Sequence, residues 1–164
     1  MGGTPYAGRV LEACAARFKP PTELGKNMTL SAPATLLTAM VSLLAILIAI
    51  GTAILVARVR TVTGILPPAM SGDPRVERAL RVQGNTVESF IVFLPALWLA
   101  ALYFQGWVPP IIGLVWCVGR IVYAAGYMSD ANRRHAGFLI CILSIFALVI
   151  LAAIGIVGAW TATV

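Results

Sequence analysis

From Ala34 to Val56 the chain runs for 23 residues without one charged side chain. At 1.5 Å of rise per residue, a helix of that length exceeds the hydrocarbon core of a bilayer, which is about 30 Å thick. A surface helix in water keeps one polar face, and this stretch has none, so it belongs inside a membrane. Composition agrees. Apolar residues make up 60% of the chain and charged residues 11%, against roughly 45–50% and 25% in soluble domains. At a mean hydropathy of +0.92, there are too few polar side chains to coat a soluble fold. The same shortage excludes intrinsic disorder. The 164 residues are the length of a single domain.

Three more apolar stretches follow. The second helix is expected from Pro74 to Phe104, with SFIVFLPALWLAALYF as its apolar part. Pro95 lies inside it and predicts a kink that neighbouring helices can tolerate. A third helix is expected from Pro109 to Tyr127, opening on proline as helices prefer. A fourth runs from Gly137 to Trp160. The expected fold class is all-α, an integral membrane four-helix bundle over residues 28–164, with no internal repeat. Residues 1–27 are polar, are broken by Pro20-Pro21 and lack the apolar run of a signal peptide. They are expected to form an extramembrane tail, or to precede a translation start at Met28.

Charge placement gives the orientation. The link between helices one and two carries Arg58, Arg60, Arg75, Arg78 and Arg81, and the link between three and four carries Arg133 and Arg134. The Gln105–Pro110 turn and the C-terminal residues carry no Lys or Arg. The positive-inside rule then puts both basic links in the cytoplasm and the C-terminus opposite. In a bacterial cell that membrane would be the inner one. The basic residues of the 1–27 tail oppose this orientation unless the chain starts at Met28. With the charges placed this way, the net charge of +6 reads as membrane anchoring, and no nucleic-acid partner is expected. No metal is expected either. Cys14, Cys117 and Cys141 form no ligand spacing, and His135 alone cannot build a zinc site.

The chemistry sits in polar groups inside apolar helices, where each charge costs at least about 2.5–3.5 kcal/mol to insert. Arg81, Asn85 and Glu88 stand at i, i+4 and i+7, and so share one face of helix two. Arg120, Tyr123 and Tyr127 stand at i, i+3 and i+7 of helix three. Glu88 and Arg120 each lie roughly 10 Å along their helices from the basic side. Unlike charges at matched depth predict a polar pocket opening to the cytoplasm. The plainer alternative is a Glu88–Arg120 staple holding the bundle together. Against it stand the surrounding Arg81, Gln83, Asn85, Tyr123 and Tyr127. Gln83 lies off the Arg81 face, toward a neighbouring helix or subunit. Tyr127 also suits an interfacial aromatic belt, and Arg133 and Arg134 also suit plain anchors. The tryptophans and cysteines read as packing residues, and His135 as a loop residue.

The string Glu77-Arg78…Arg81-x-Gln83-x-Asn85-x-x-Glu88, leading into a helix with an internal proline, resembles the MAPEG family of membrane-associated proteins in eicosanoid and glutathione metabolism. GRIVYAAGYMSDANRR, with Arg120, Tyr123, Tyr127 and Arg134, resembles the same family at the end of its third helix. The nearer likeness is to the branch of leukotriene C4 synthase and microsomal glutathione transferase 2. Thr61 and Ser89 depart from the synthase pattern, which has arginine and tyrosine there. The resemblance implies a four-helix homotrimer that binds glutathione as co-substrate between subunits and takes a lipophilic substrate from the lipid bilayer. Gly113, Gly119, Ala124, Ala125 and Gly126 offer small surfaces for such contacts. It further implies that Arg60, Arg81, Gln83, Asn85, Glu88, Arg120, Tyr123 and Tyr127 bind glutathione, and that Arg134 activates its thiol. The expected function is conjugation of glutathione to hydrophobic electrophiles, with lipid hydroperoxide reduction as a companion activity. The rivals are a non-catalytic lipid-binding scaffold of the same fold, as in the family's five-lipoxygenase activating protein, and a small proton-coupled exporter using Glu88.

Overall fold

The computed structural model describes residues 33–163. The expected 1–27 tail, Cys14 and the Met28 start lie outside the described residues. Four helices make up the rest: α1 (Pro33–Thr63), α2 (Pro74–Tyr103), α3 (Val108–Ser129) and α4 (His135–Thr163), with a 3-10 turn at Ala131–Arg134 leading into α4. All four are long and apolar enough to cross a membrane. The chain is a multi-pass membrane protein, and the all-α expectation holds.

The helix ends have local causes. α1 continues past Val56 through Arg58 and Arg60 and stops where Gly64 takes φ +72°. The Gly64 amide donates to the Arg60 carbonyl at 2.9 Å, closing the helix with the left-handed residue that glycine supplies most cheaply. The α1–α2 loop is held from α1, because Arg60 Nη1 donates to the carbonyls of Ile65 (3.1 Å) and Ala69 (2.8 Å). Asp73 then caps α2 by accepting from the Arg75 amide at 2.7 Å, and Pro74 fills the first turn. The Arg75 guanidinium closes on the same carboxylate at 2.8 Å, and this pairing holds the Asp73 carboxyl below its ordinary range. α2 continues as one helix through Pro95. At the far end of α3, Asp130 donates its amide to the Gly126 carbonyl (2.9 Å) and accepts from the Asn132 amide (2.9 Å), turning the chain toward α4.

The apolar core runs through all four helices, from Val41 and Ala45 on α1 to Leu148 and Ala152 on α4. Its centre is Phe93 stacked on Trp116, with ring centroids 3.9 Å apart and planes 4° apart. A smaller cluster of Val82, Tyr123 and Tyr127 lies toward the basic links. Leu43, Leu47, Leu143 and Phe146 point outward, a distribution that a hydrocarbon solvent permits. The small residues act within the chain. A Cβ on Gly113 would meet Val41 and Leu97, one on Gly119 would meet Ile140 and Cys141, and one on Gly126 would meet the Arg133 backbone. The tightest approach is between α3 and α4, where a Cβ on Gly137 would stand 2.3 Å from the Tyr123 backbone nitrogen. Gly113, Gly119 and Gly126, expected as small surfaces for close contact, do make close contacts, and they make them with neighbouring elements of the same chain.

Candidate functional site

The polar residues of α2 and α3 converge at the bundle end that carries the basic links. Helical periodicity keeps Arg81, Asn85 and Glu88 on one stripe of α2, and Met70 of the preceding loop joins them around a cleft of about 430 Å³. Asn85 and Glu88 also line a second cleft, of about 320 Å³, with Arg120 and Tyr123 of α3 and the apolar side chains of α4. Asn85 and Tyr123 line a third, of about 230 Å³, with Arg134 and His135. Asn85 borders all three.

Direct bonds fix this arrangement. The Asn85 amide nitrogen donates to the Tyr123 hydroxyl, tying α2 to α3. Arg120 is 2% exposed. Its Nη2 donates to Thr86 Oγ1 at 2.8 Å, and Thr86 in turn donates to the Val82 carbonyl at 2.6 Å. The Arg120 guanidinium carbon lies 4.4 Å from the centre of the Tyr123 ring, within the range of cation–π attraction. The Arg120 Nε is buried without a hydrogen-bond partner. Arg134 Nη1 donates to the Tyr127 hydroxyl at 3.4 Å, with its guanidinium carbon 5.4 Å from that ring.

Most of the expected site residues come together. Arg81, Asn85, Glu88, Arg120, Tyr123 and Arg134 line the three clefts, and Tyr127 stands behind Arg134. Two do not join them. Gln83 lines none of the three clefts, as its position off the Arg81 stripe foretold. Arg60 lines none of them either, since its guanidinium is engaged by the loop carbonyls. The staple alternative fails. Among the described residues the ion pair formed is Arg75–Asp73, while Glu88 and Arg120 face one cleft without closing on each other. Arg120 has turned onto Thr86 and Tyr123 instead.

Sequence reasoning missed Thr86 and the α4 wall, and marked Ser89 only as a departure from the family pattern. Thr86 carried a usable signal, being a hydroxyl next to Asn85 in the polar stretch that ends at Ser89. Ser89 accepts from the Trp116 indole nitrogen at 3.2 Å, a contact that no spacing announces. Phe138, Ile142 and Ile145 have nothing in their spacing that sets them apart from the rest of a hydrophobic span. His135, expected to be a plain loop residue, borders the third cleft.

Chemically, the clefts offer guanidinium forks suited to carboxylates, one carboxylate suited to a cation, and phenol and amide groups that fix direction. Apolar side chains continue the second cleft into the bundle. Fold and site together define a small polytopic membrane protein with amphiphilic clefts at one end of a four-helix bundle. The chain belongs to the MAPEG family, whose pattern it matches over residues 36–154. It is similar to an uncharacterized protein of Synechocystis sp., 42% identical over 121 residues that cover 74% of this chain and 85% of that one. It is also similar to microsomal glutathione S-transferase 2 of Homo sapiens, 35% identical over 108 residues (66% and 74%). With leukotriene C4 synthase of Bos taurus it shares 34% identity over 122 residues (74% and 81%).

Proposed function

We propose that the protein is a glutathione transferase that joins the glutathione thiolate to hydrophobic electrophiles at the clefts around Asn85. The observation that carries this reading is the set of unpaired opposite charges there. Arg81 and Arg120 line clefts shared with Glu88, neither closes an ion pair with it, and Arg134 lines the adjoining cleft that shares Asn85 and Tyr123. Glutathione brings two carboxylates and one ammonium, the complement of several arginines and one carboxylate. Two relatives carry names that state a glutathione transferase and a leukotriene C4 synthase, which supports the same class.

In this reading Arg81 and Arg120 bind carboxylates, Glu88 binds the ammonium, and Asn85 and Tyr123 orient the peptide. Arg60, Gln83 and Tyr127 complete the binding set, with Arg60 released from its loop carbonyls and Gln83 serving a neighbouring subunit of a homotrimer. Arg134 stabilises the thiolate, since a nearby cation lowers a thiol pKa. The thiol proton leaves to water on the side of the basic links, which is cytoplasmic by their charge. The sulfur lone pair then forms the C–S bond, and the leaving group or opened ring oxygen takes the displaced electron pair. The apolar α4 wall receives the electrophile from the bilayer.

Thiol activation alone is a modest contribution. Lowering a thiol pKa from about 8.5 to about 6.5 raises the thiolate fraction at pH 7 roughly 25-fold, while a Brønsted slope near 0.4–0.5 returns about 8-fold in lost nucleophilicity. Most of the acceleration must come from holding the thiolate beside a membrane-concentrated electrophile. The test is a conjugation assay on detergent-purified protein against a panel of electrophiles, with thiolate absorbance followed on glutathione binding. Formation of thioether products is expected. Binding of lipophiles with neither thiolate signal nor product would replace this reading with the scaffold.

A further inference from the structure

The third cleft is lined by Asn85 of α2, Tyr123 of α3, Arg134 at the end of the 3-10 turn, and His135 and Phe138 of α4. The first turn of α4 sets the place of the histidine. Gly137 lies so close to α3 that a Cβ would stand 2.3 Å from the Tyr123 backbone nitrogen, which locks the start of α4 against that tyrosine. His135, Phe138, Ile142 and Ile145 stand at i, i+3, i+7 and i+10, so they share one stripe of α4. The stripe lines the second cleft at Phe138, Ile142 and Ile145, and the third at His135 and Phe138. The imidazole is thus the polar head of the apolar α4 wall, beside Arg134 and exposed at the bundle end that carries the basic links.

Ionising a thiol releases a proton, and most groups around this cleft cannot take it. An arginine stays protonated, so Arg134 can stabilise a thiolate and cannot act as a base. Asn85 is an amide, and its nitrogen already donates to the Tyr123 hydroxyl. The Tyr127 hydroxyl behind Arg134 accepts from that guanidinium. Of the other charged groups, Glu88 and Arg120 lie in the adjoining cleft, Asp130 accepts from the Asn132 amide in the turn, and Arg133 is a second fixed cation. Among the described residues, no hydrogen bond engages the His135 ring. A neutral imidazole keeps one ring nitrogen with a free lone pair, and histidine is the side chain that ordinarily changes charge near neutral pH.

We propose that His135 is the general base of the reaction, taking the proton from the glutathione thiol while Arg134 stabilises the sulfur anion. The inference rests on the transferase reading and adds to it the route of the proton. The S–H bond breaks, its electron pair stays on sulfur, and the proton moves to the free ring nitrogen, directly or through one water. The imidazolium then releases it to water on the side of the basic links, which regenerates the base. Two adjacent residues divide the work. Arg134 governs how much thiolate forms, and His135 how fast it forms.

The experiment follows thiolate absorbance by stopped flow after the purified protein is mixed with glutathione, for the wild type, His135→Gln, His135→Ala and Arg134→Ala. The wild-type rate is expected to rise across about pH 5–8, where an imidazole ordinarily loses its proton, and then to level off. His135→Gln should form thiolate about 10²-fold more slowly near neutral pH, the lower end of what a positioned base contributes. Its rate should keep climbing with hydroxide, without the plateau, while the final thiolate amplitude and the calorimetric glutathione Kd stay close to wild type. Added imidazole should speed His135→Ala in proportion to its concentration, and should not restore the amplitude lost in Arg134→Ala. A His135→Gln protein with the wild-type rate and pH profile would overturn the inference. So would a His135→Ala protein that imidazole cannot rescue, or a loss of amplitude as large as the loss of rate, because the residue would then only hold the cleft in shape. Failure of the wild type to bind glutathione or to give a thiolate signal would refute the transferase reading itself. That outcome is distinct from a wild type that forms thiolate at a rate indifferent to position 135.

Discussion

Thr86→Val tests the buried contact that places Arg120. The substitution keeps the branched shape and deletes the oxygen that accepts from Arg120 Nη2 at 2.8 Å. Thr86 is fully buried and Arg120 is 2% exposed, so no water replaces the lost acceptor. A hydrogen bond to a charged group contributes about 1.5–3 kcal/mol. Because the Arg120 Nε is already without a partner, the upper part of that range applies, about 2–3 kcal/mol. The Thr86 bond to the Val82 carbonyl is also lost, but at little further cost, since that carbonyl lies within α2. Unfolding free energies in mixed micelles, measured by detergent titration, give the single-variant value. The sharper measurement is a double-mutant cycle with Arg120→Met, which removes the cation and keeps much of the volume. If Thr86 acts by satisfying Arg120, Thr86→Val costs little in the Arg120→Met background, and the coupling energy reaches at least about 1.5 kcal/mol. A coupling below about 0.5 kcal/mol would refute the reasoning, because Thr86 would then contribute by packing alone.

Arg134→Ala is expected to lower turnover by about 10²–10³-fold, the cost of losing one electrostatic stabiliser, with the calorimetric glutathione affinity within a few-fold. Arg133→Ala, run beside it in the same conjugation assay, should change little. Glu88→Gln removes the proposed ammonium partner and should weaken the glutathione Kd by about 10- to 150-fold, one charge-assisted hydrogen bond, as read by calorimetry. Gly137→Ala should destabilise by at least about 2 kcal/mol, since it drives a methyl into the Tyr123 backbone. Gly51→Ala, which meets nothing within 4 Å, should be neutral or stabilising by up to about 1 kcal/mol in the same denaturation series. The Asp73 carboxyl is held below its ordinary value of 3.8 by Arg75, so its contribution to capping α2 is complete above pH 3.8. It fades as pH falls through the lowered value. Asp73→Asn should abolish that acid step in amide exchange at Val76 and Glu77.

The helices were legible because a membrane span announces itself by length and lack of charge, and neither depends on tertiary contacts. Their ends were less so. α1 was expected to finish near Val56 and continues to Thr63, because Arg58 and Arg60 remain helical once the loop gives Arg60 carbonyls to bind. Residues on a single helix stripe, Arg81, Asn85 and Glu88, were readable from periodicity. Contacts across helices were readable only as matched depth, which brought Glu88 and Arg120 to one cleft but could not say which way the guanidinium turns. That choice was made by Thr86, a residue whose importance depends on its neighbour across the bundle. Arg60 illustrates the same limit from the other side, since nothing in its spacing foretells a loop folding back onto it.

Asn85 borders all three clefts and bonds to Tyr123, which has a consequence for how this protein can diverge. Three cavities that meet at one amide are not separate modules. A replacement at position 85 alters the walls of all three and frees the phenol that links α2 to α3, so its effect should depend on which residues stand at 81, 88, 120 and 134. Substitutions in any one cleft should therefore show strong epistasis with position 85. Paths of change that keep Asn85 can retune the apolar end for new electrophiles one residue at a time. Paths that begin at Asn85 must alter several walls together, and a deep mutational scan of this bundle should find them nearly closed.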